Sequence, residues 1–171
     1  MPYATYRFNK IIAAETIRFI VTVAIVVYKG LKLVVYRMLT EKELPFSDFE
    51  SIYQSQCADE NYYCLVYESE HRVVGCINLR MEFQLHHAAR ICEIMELAVS
   101  SSCRCGGLGT KLFRAACAQA RECGCLQMEV CCNQLRTRTH QFYLRQGMHN
   151  FHYKFSMNLL HEDDGENRLG R

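Results

Sequence analysis

The hydrophobic positions along the chain change period several times, and each change marks an element. Residues 17–23 (IRFIVTV) are rich in β-branched side chains and predict a strand. Beyond them Val27, Leu31, Val34, Val35, Met38 and Leu39 recur at helical spacing, which predicts an amphipathic helix ending before Pro45. A second helix is expected over Phe49, Ile52 and Tyr53, with Ser47 as its N-cap and Glu50, three residues on, as capping-box partner. Two apolar runs, 62–67 (YYCLVY) and 73–79 (VVGCINL), flank the polar stretch 68–72 and predict an antiparallel hairpin, with strand character continuing through Met81 and Phe83. Residues 91–99 (ICEIMELAV) predict a further strand, interrupted by Glu93 and Glu96. From Leu108 a stripe of Leu112, Phe113, Ala116 and Ala120 predicts a helix that stops at Gly124. Residues 126–132 return to strand character, 139–146 suit a short helix closed by Gly147, and 151–159 alternate as a last strand. This order predicts an α/β or α+β fold, a mixed sheet covered by helices, in one domain over 15–160. Residues 1–14 read as an extension and 161–171 as a polar tail.

Composition adds exclusions. The chain has 171 residues, close to one domain of about 150 residues, and half of them are hydrophobic, enough for a core and against disorder. A formal net charge of +2 lacks the electrostatic footprint of a nucleic-acid binder. The longest apolar run, 19–28, is far short of the roughly 20 residues a membrane span needs. It also continues into periodic sequence without a cleavage site, so a cytoplasmic protein is expected. Eleven cysteines form an odd set. Cys131 and Cys132 are adjacent and Cys76 and Cys92 sit inside apolar runs, which favours reduced thiols acting as small buried hydrophobes. No C-x-x-C occurs, and the pairs Cys103/Cys105 and Cys123/Cys125 lack zinc spacing, so no metal ligands are assigned.

Chemistry concentrates in the run Arg104-Cys105-Gly106-Gly107-Leu108-Gly109-Thr110, between a predicted strand and a predicted helix. Side-chain-free positions at a helix start let a ligand approach backbone N–H groups, and the helix dipole favours a negative group there. Neither the dinucleotide spacing G-x-G-x-x-G nor the G-K-[ST] ending of the nucleoside-triphosphate loop occurs. A tight strand-to-helix turn would account for the glycines equally well.

The strand, R-x-x-G-x-G turn and helix, followed by Asn133 and by the run 140–147 (HQFYLRQG), resemble the acetyl-CoA-binding and catalytic segments of the GNAT N-acetyltransferase superfamily over residues 17–160. Within it, 83–87 (FQLHH), 93–97 (EIMEL) and 142–145 (FYLR) with Gly147 are most similar to the aminoalkylphosphonate N-acetyltransferases. The resemblance implies a GNAT-like fold and acetyl-CoA as cosubstrate. Leu97, Ala98 and Val99 would offer backbone groups to the pantetheine arm, Arg104 through Thr110 would hold the pyrophosphate, Asn133 would contact the cofactor near the thioester, and Tyr143 would face the sulfur. Cys105 and Gly106 depart from the pattern, since many relatives carry glycine and a basic residue there, so fewer positive contacts to the pyrophosphate are implied.

Acetyl transfer to an amine asks for a group that takes the amine proton and one that protonates the departing thiolate. Glu93 and Tyr143 suit those roles, since a carboxylate on an apolar strand can have its pKa raised by desolvation. Strand alternation places Glu93 and Glu96 on opposite faces unless a bulge intervenes, and family matching favours Glu93. The competing readings are carboxylates paired with Arg80 or Arg90, and a core tyrosine. His86 and His87 are expected to follow the third strand, pointing oppositely, one of them compensating a phosphonate dianion either as imidazolium or through a divalent ion. The functional expectation is an N-acetyltransferase acting on a small aminoalkylphosphonate, with no nucleic-acid or membrane partner and homodimerisation left open. The alternatives are another small amine or a protein amine as acceptor, a catalytically silent acetyl-CoA-binding regulatory module, and a cysteine-rich redox or metal protein.

Overall fold

The computed structural model describes Tyr36 and residues 45–69, 72–103 and 106–159. The predicted strand at 17–23, the terminal segments 1–14 and 161–171, and Arg104 and Cys105 lie outside the described residues, as does the helix expected from Val27 to Leu39 apart from Tyr36. Two compact units are present, residues 1–131 and 132–171.

In the first unit, α1 (Phe46–Ala58) precedes an antiparallel meander of β1 (Tyr62–Ser69), β2 (Arg72–Gln84) and β3 (Ala89–Val99). A single 3₁₀ turn (Ser101–Cys103) leads toward α2 (Leu108–Glu122), and β4 (Gln127–Val130) then joins β3 in parallel. The sheet order is β1-β2-β3-β4, the mixed sheet expected from the change of period. A parallel partner needs a crossover, and α2 supplies it.

The hairpins follow the apolar runs because central strands covered on both faces read as continuous hydrophobic sequence. Leu65, Ile77, Leu79, Met81, Ile91 and Leu112 are fully buried. Gly75 lets α2 lie close to the sheet: a Cβ there would come within 2.9 Å of Leu112 Cδ1 and 3.0 Å of Leu108 Cδ2. Gly124, at φ +73°, ends α2, and beside it Cys125 N–H donates to Ala120 O at 2.9 Å, closing a helix C-terminus that a left-handed residue permits. Cys76 and Cys92 fill the interior as expected of small apolar residues, and burial pushes each thiol up to about 12. All ten described cysteines are free of disulfide bonds.

Three expectations are corrected. The N-cap of α1 is Pro45 rather than Ser47, and no side-chain cap forms; Ser47 lies within the first turn and its hydroxyl donates to Asp48 Oδ1 at 3.3 Å. Proline's fixed φ suits a helix start, so the capping box is not needed to begin this helix. Ile52, expected on the buried stripe, is 59% exposed, while Phe49 packs against the cluster of Val66 and Cys76. The alternating segment 151–159, in the second unit, has no regular secondary structure and pairs with no described strand. Alternation supplies a face but not a partner, and a strand needs both. The second unit otherwise holds α3 (Thr137–Arg145), with Gly147 just beyond its end as expected.

The turn between β2 and β3 contains the one described non-glycine residue at positive φ, Ala88 at 48°. Left-handed backbone costs an L-residue about 1–2 kcal/mol, against about 0.5–1 kcal/mol of extra unfolded-state entropy for glycine. Ala88→Gly should therefore stabilise the fold by up to about 1 kcal/mol, raising Tm by about 2–4 °C in a chain of this size. A lowered Tm in a melting experiment would refute the strain.

Candidate functional site

The site in the first unit is organised by the register between β2 and β3. Asn78 lies opposite Glu96 and Leu79 lies opposite Ile94, so Met95 is an extra residue on β3, a β-bulge. Directly opposed residues of an antiparallel pair share a face. Asn78 and Arg80 are two apart on β2, hence on one face, and their partners Glu96 and Glu93 share it. The expectation of opposite faces is thus overturned: the bulge breaks the alternation between the two carboxylates.

The two glutamates have different surroundings. Glu93 Oε2 accepts from the Arg80 guanidinium at 2.7 Å, the ion pair raised above as the competing reading, and Arg80 also reaches Glu82 at 3.5 Å. Arg90 is engaged elsewhere, donating to Cys123 O and to Asn61 Oδ1. Glu96 Oε2 accepts from Asn78 Nδ2 at 2.8 Å, and the same amide donates to Gln56 Oε1 of α1 at 2.9 Å. Burial raises the Glu96 carboxyl above the ordinary glutamate range; the Asn78 hydrogen bond works against that and the nearby Glu93 charge adds to it. Asn78 and Gln56 were not singled out in the sequence, whereas Arg80 entered there as a partner of the carboxylates. A lone asparagine inside the run VVGCINL was the available signal, since a buried amide on a central strand needs partners.

The bulge also limits the sheet. The β3–β4 ladder spans Ile91–Gln127 to Ile94–Val130 and stops one residue before Met95. Leu97 and Ala98 are paired with Ile77 and Cys76 of β2 and have no strand partner on the β4 side among the described residues. Val99 pairs with Gly75 at the end of β3. The chain then turns through Ser101–Cys103 to Gly106, exposed, and Gly107, which is the N-cap of α2 in the left-handed region (φ 70°) without a side-chain cap. Leu108 is buried, whereas Gly109 and Thr110 are half-buried in the first turn. A Cβ at Gly107 would meet nothing within 4 Å and one at Gly106 only Cys103 O at 3.7 Å, so the approach to this turn is open on the glycine side. A helix start with exposed glycines and no side-chain cap fits an anionic group, and a strand edge lacking its neighbour fits an extended amide-bearing arm.

His86 and His87 stand in the turn between β2 and β3 rather than on extended strand, which corrects the expectation that they point oppositely. Their rings lie 4.1 Å apart. His87 Nε2 is 3.4 Å from Glu129 Oε1 and 3.3 Å from Gln127 Nε2, tying the turn to β4, while His86 is exposed. Among the described residues no group of three or more His, Cys, Asp or Glu is arranged to hold a metal ion.

In the second unit, Asn133 Oδ1 accepts from Leu135 N–H at 2.9 Å, and its backbone carbonyl bonds His140 Nε2 at 2.9 Å, so the residue anchors the turn into α3. Tyr143 is buried, edge-on to Phe142, and burial pushes its hydroxyl up to about 12. The phenol therefore stays protonated through the neutral range.

Comparison with known proteins gives this geometry a context. The sequence profile of the Acetyltransferase (GNAT) family matches residues 34–148. An aminoalkylphosphonate N-acetyltransferase of Salmonella typhimurium is 35% identical over 121 residues, 71% of this chain and 79% of that protein. Among solved structures, a glucosamine-6-phosphate N-acetyltransferase from Arabidopsis thaliana superposes with a TM-score of 0.65 at 18% identity, over 84% of this chain and 97% of that one. A transcriptional regulator from Bacillus halodurans superposes with a TM-score of 0.69 at 20% identity, over 77% and 95%. These two likenesses speak for the fold. No described helix is long and apolar enough to cross a membrane. Profile, relative and architecture agree: the chain belongs to the GNAT acetyltransferase family and is an acetyl-CoA-dependent N-acetyltransferase.

Proposed function

We propose that the chain acetylates the primary amine of a small aminoalkylphosphonate, with Glu96 as the group that takes the amine proton. The observation that carries the catalytic half is the contrast between the two carboxylates: Glu96 is desolvated and held by a neutral amide, while Glu93 is ion-paired with Arg80. A carboxylate raised toward neutrality is the better proton acceptor near neutral pH. The substrate half is supported by the 35% identical Salmonella typhimurium protein. When bound, acetyl-CoA supplies a thioester carbonyl for the amine to attack. The backbone of Leu97 and Ala98 would hold the pantetheine arm, and the turn into α2, Gly106 to Thr110, the pyrophosphate. Tyr143, kept protonated by burial, is the proposed proton donor. Exposed His86 is the proposed contact to the phosphonate.

A second reading rests on charge. The sheet face that carries Glu96 also bears Glu82, Glu93 and Glu129 by register, against Arg80 and the nearby His87, which favours an acceptor with a second positive charge such as a polyamine. Acetyl-CoA consumption measured against aminoalkylphosphonates, polyamines, amino acids and peptides separates the two. Phosphonate turnover with a KM that His86→Ala raises more than it raises the KM for a neutral amine of equal length is the expected result; turnover of polyamines alone would replace the phosphonate by the cationic acceptor.

The cradle predicts opposite effects at two glycines. Gly109→Val should weaken acetyl-CoA binding by obstructing the backbone, whereas Gly106→Lys, with room for its side chain, should tighten it about two- to fivefold by adding a cation near the anion. Calorimetry on folded variants decides, and unchanged affinity in both would remove the pyrophosphate from this turn.

Glu96 carries a stability signature with a definite sign. Its folded-state pKa is raised, so between the ordinary glutamate value and the raised one the folded protein binds more protons than the unfolded chain. Stability is therefore lost as pH rises through that window. Glu96→Gln keeps an acceptor for Asn78 and removes the charge, so at pH 8 it should melt at or above the temperature of the natural protein while turnover falls about 10²-fold or more. Full turnover in Glu96→Gln would reassign the proton acceptor.

A further inference from the structure

Arg80 stands at the centre of the polar sheet face. Its register partners are Tyr62 on β1 and Glu93 on β3, and all three share the face that carries Asn78 and Glu96. Its Nη2 lies 2.7 Å from Glu93 Oε2 and 3.5 Å from Glu82, and Tyr62 is its further hydrogen-bond partner. The Arg80 and Glu93 side chains are 32% and 21% exposed, so water screens the pair only partly. Among the described residues the groups around Glu96 are few: from β2 the Asn78 amide and the Cys76 thiol, from β1 the Cys64 thiol, from α1 Gln56 through Asn78, and from β3 Glu93. Both thiols are raised by burial and stay neutral at ordinary pH, which leaves Glu93 as the charge that acts on Glu96 from its own strand. Without the Met95 bulge that charge would lie on the other face.

We propose that Arg80 is a positioning residue for acetyl transfer: by holding Glu93 in an ion pair it shields Glu96 from its neighbour and so sets the pH range over which Glu96 takes a proton. This rests on the reading of Glu96 as proton acceptor. The two carboxylates thereby divide the work. Glu93 is engaged by Arg80, and Glu96 is left to cycle between its acid and base forms. Removing Arg80 leaves the Glu93 and Glu82 charges uncompensated, which favours the protonated form of Glu96 and moves its titration upward. Removing the Glu93 charge leaves Arg80 unopposed and moves it downward.

The test is the titration of Glu96 in the full chain without ligand, followed by carbon-13 NMR of the labelled glutamate carboxyls, with Glu96→Gln identifying the resonance. Arg80→Met should raise the midpoint by about one pH unit, Glu93→Gln should lower it, and the double variant should return it near the starting value. Arg80→Lys, which keeps the charge, should stay close to the natural protein. If Arg80→Met does not fold, the downward shift in Glu93→Gln and its reversal in Arg80→Met/Glu93→Gln, which buries no unpaired charge, carry the comparison. The acidic limb of kcat/KM, measured with 2-aminoethylphosphonate, should move with the midpoint, about tenfold in rate per unit below the limb. Midpoints that do not move while Glu96→Gln abolishes turnover would overturn the role of Arg80 and leave Glu96 in place. Full turnover in Glu96→Gln would overturn both, and loss of turnover in Glu93→Gln with a limb that vanishes would make Glu93 the proton acceptor instead.

Discussion

The extra residue at Met95 is the constraint on which the site depends. One residue inserted in β3 against β2 rotates everything beyond it to the other face. Glu96 thereby joins Glu93, Arg80 and Asn78, and Ile94 becomes the last residue of β3 to pair with β4. The same insertion therefore assembles the polar face and leaves Leu97 and Ala98, among the described residues, as backbone with a strand neighbour on one side only. A regular strand would separate the carboxylates and let β4 continue along the edge that an extended ligand arm would otherwise occupy.

A desolvated carboxylate is tolerated here because its hydrogen bonding is shared across three elements. Gln56 on α1, Asn78 on β2 and Glu96 on β3 form a continuous chain through the two donors of one amide. Both of the Asn78 Nδ2 protons are used, so the amide orientation is fixed by its neighbours, and α1 is tied to the site as well as to the apolar cluster around Val66 and Cys76. The arrangement leaves Glu96 buried enough to hold a proton more tightly than usual, yet without a positive partner among the described residues that would keep it ionised.

The parts legible in the sequence are those where burial follows a single period. The β1–β2 hairpin, with β2 reaching Gln84 as its continued strand character implied, β3 and α2 agree with the expected runs to within a few residues, and the glycines at the start of α2 lie where the strand-to-helix turn demanded them. The bulge was not legible, because alternation gives the face of each residue only if the register is continuous, and a single insertion leaves no mark in the composition of EIME. Asn78 escaped notice for a related reason: in a run read for its hydrophobicity, one polar residue two positions from Arg80 is part of the site rather than an interruption. Residues 151–159 show the converse, a clear period with no described strand to pair with.

The distribution of thiols gives the protein a built-in ruler of its own opening. Cys76 and Cys92 are sealed within the sheet and its helices, several others are half-covered, and Cys131 alone among the described cysteines is exposed. An alkylating reagent would thus meet a graded series: an outer thiol accessible in the native state, a middle set released by local fraying, and an inner pair that reacts only when the sheet itself separates. Counting labels over time would resolve local from global unfolding within one native chain, with no probe introduced.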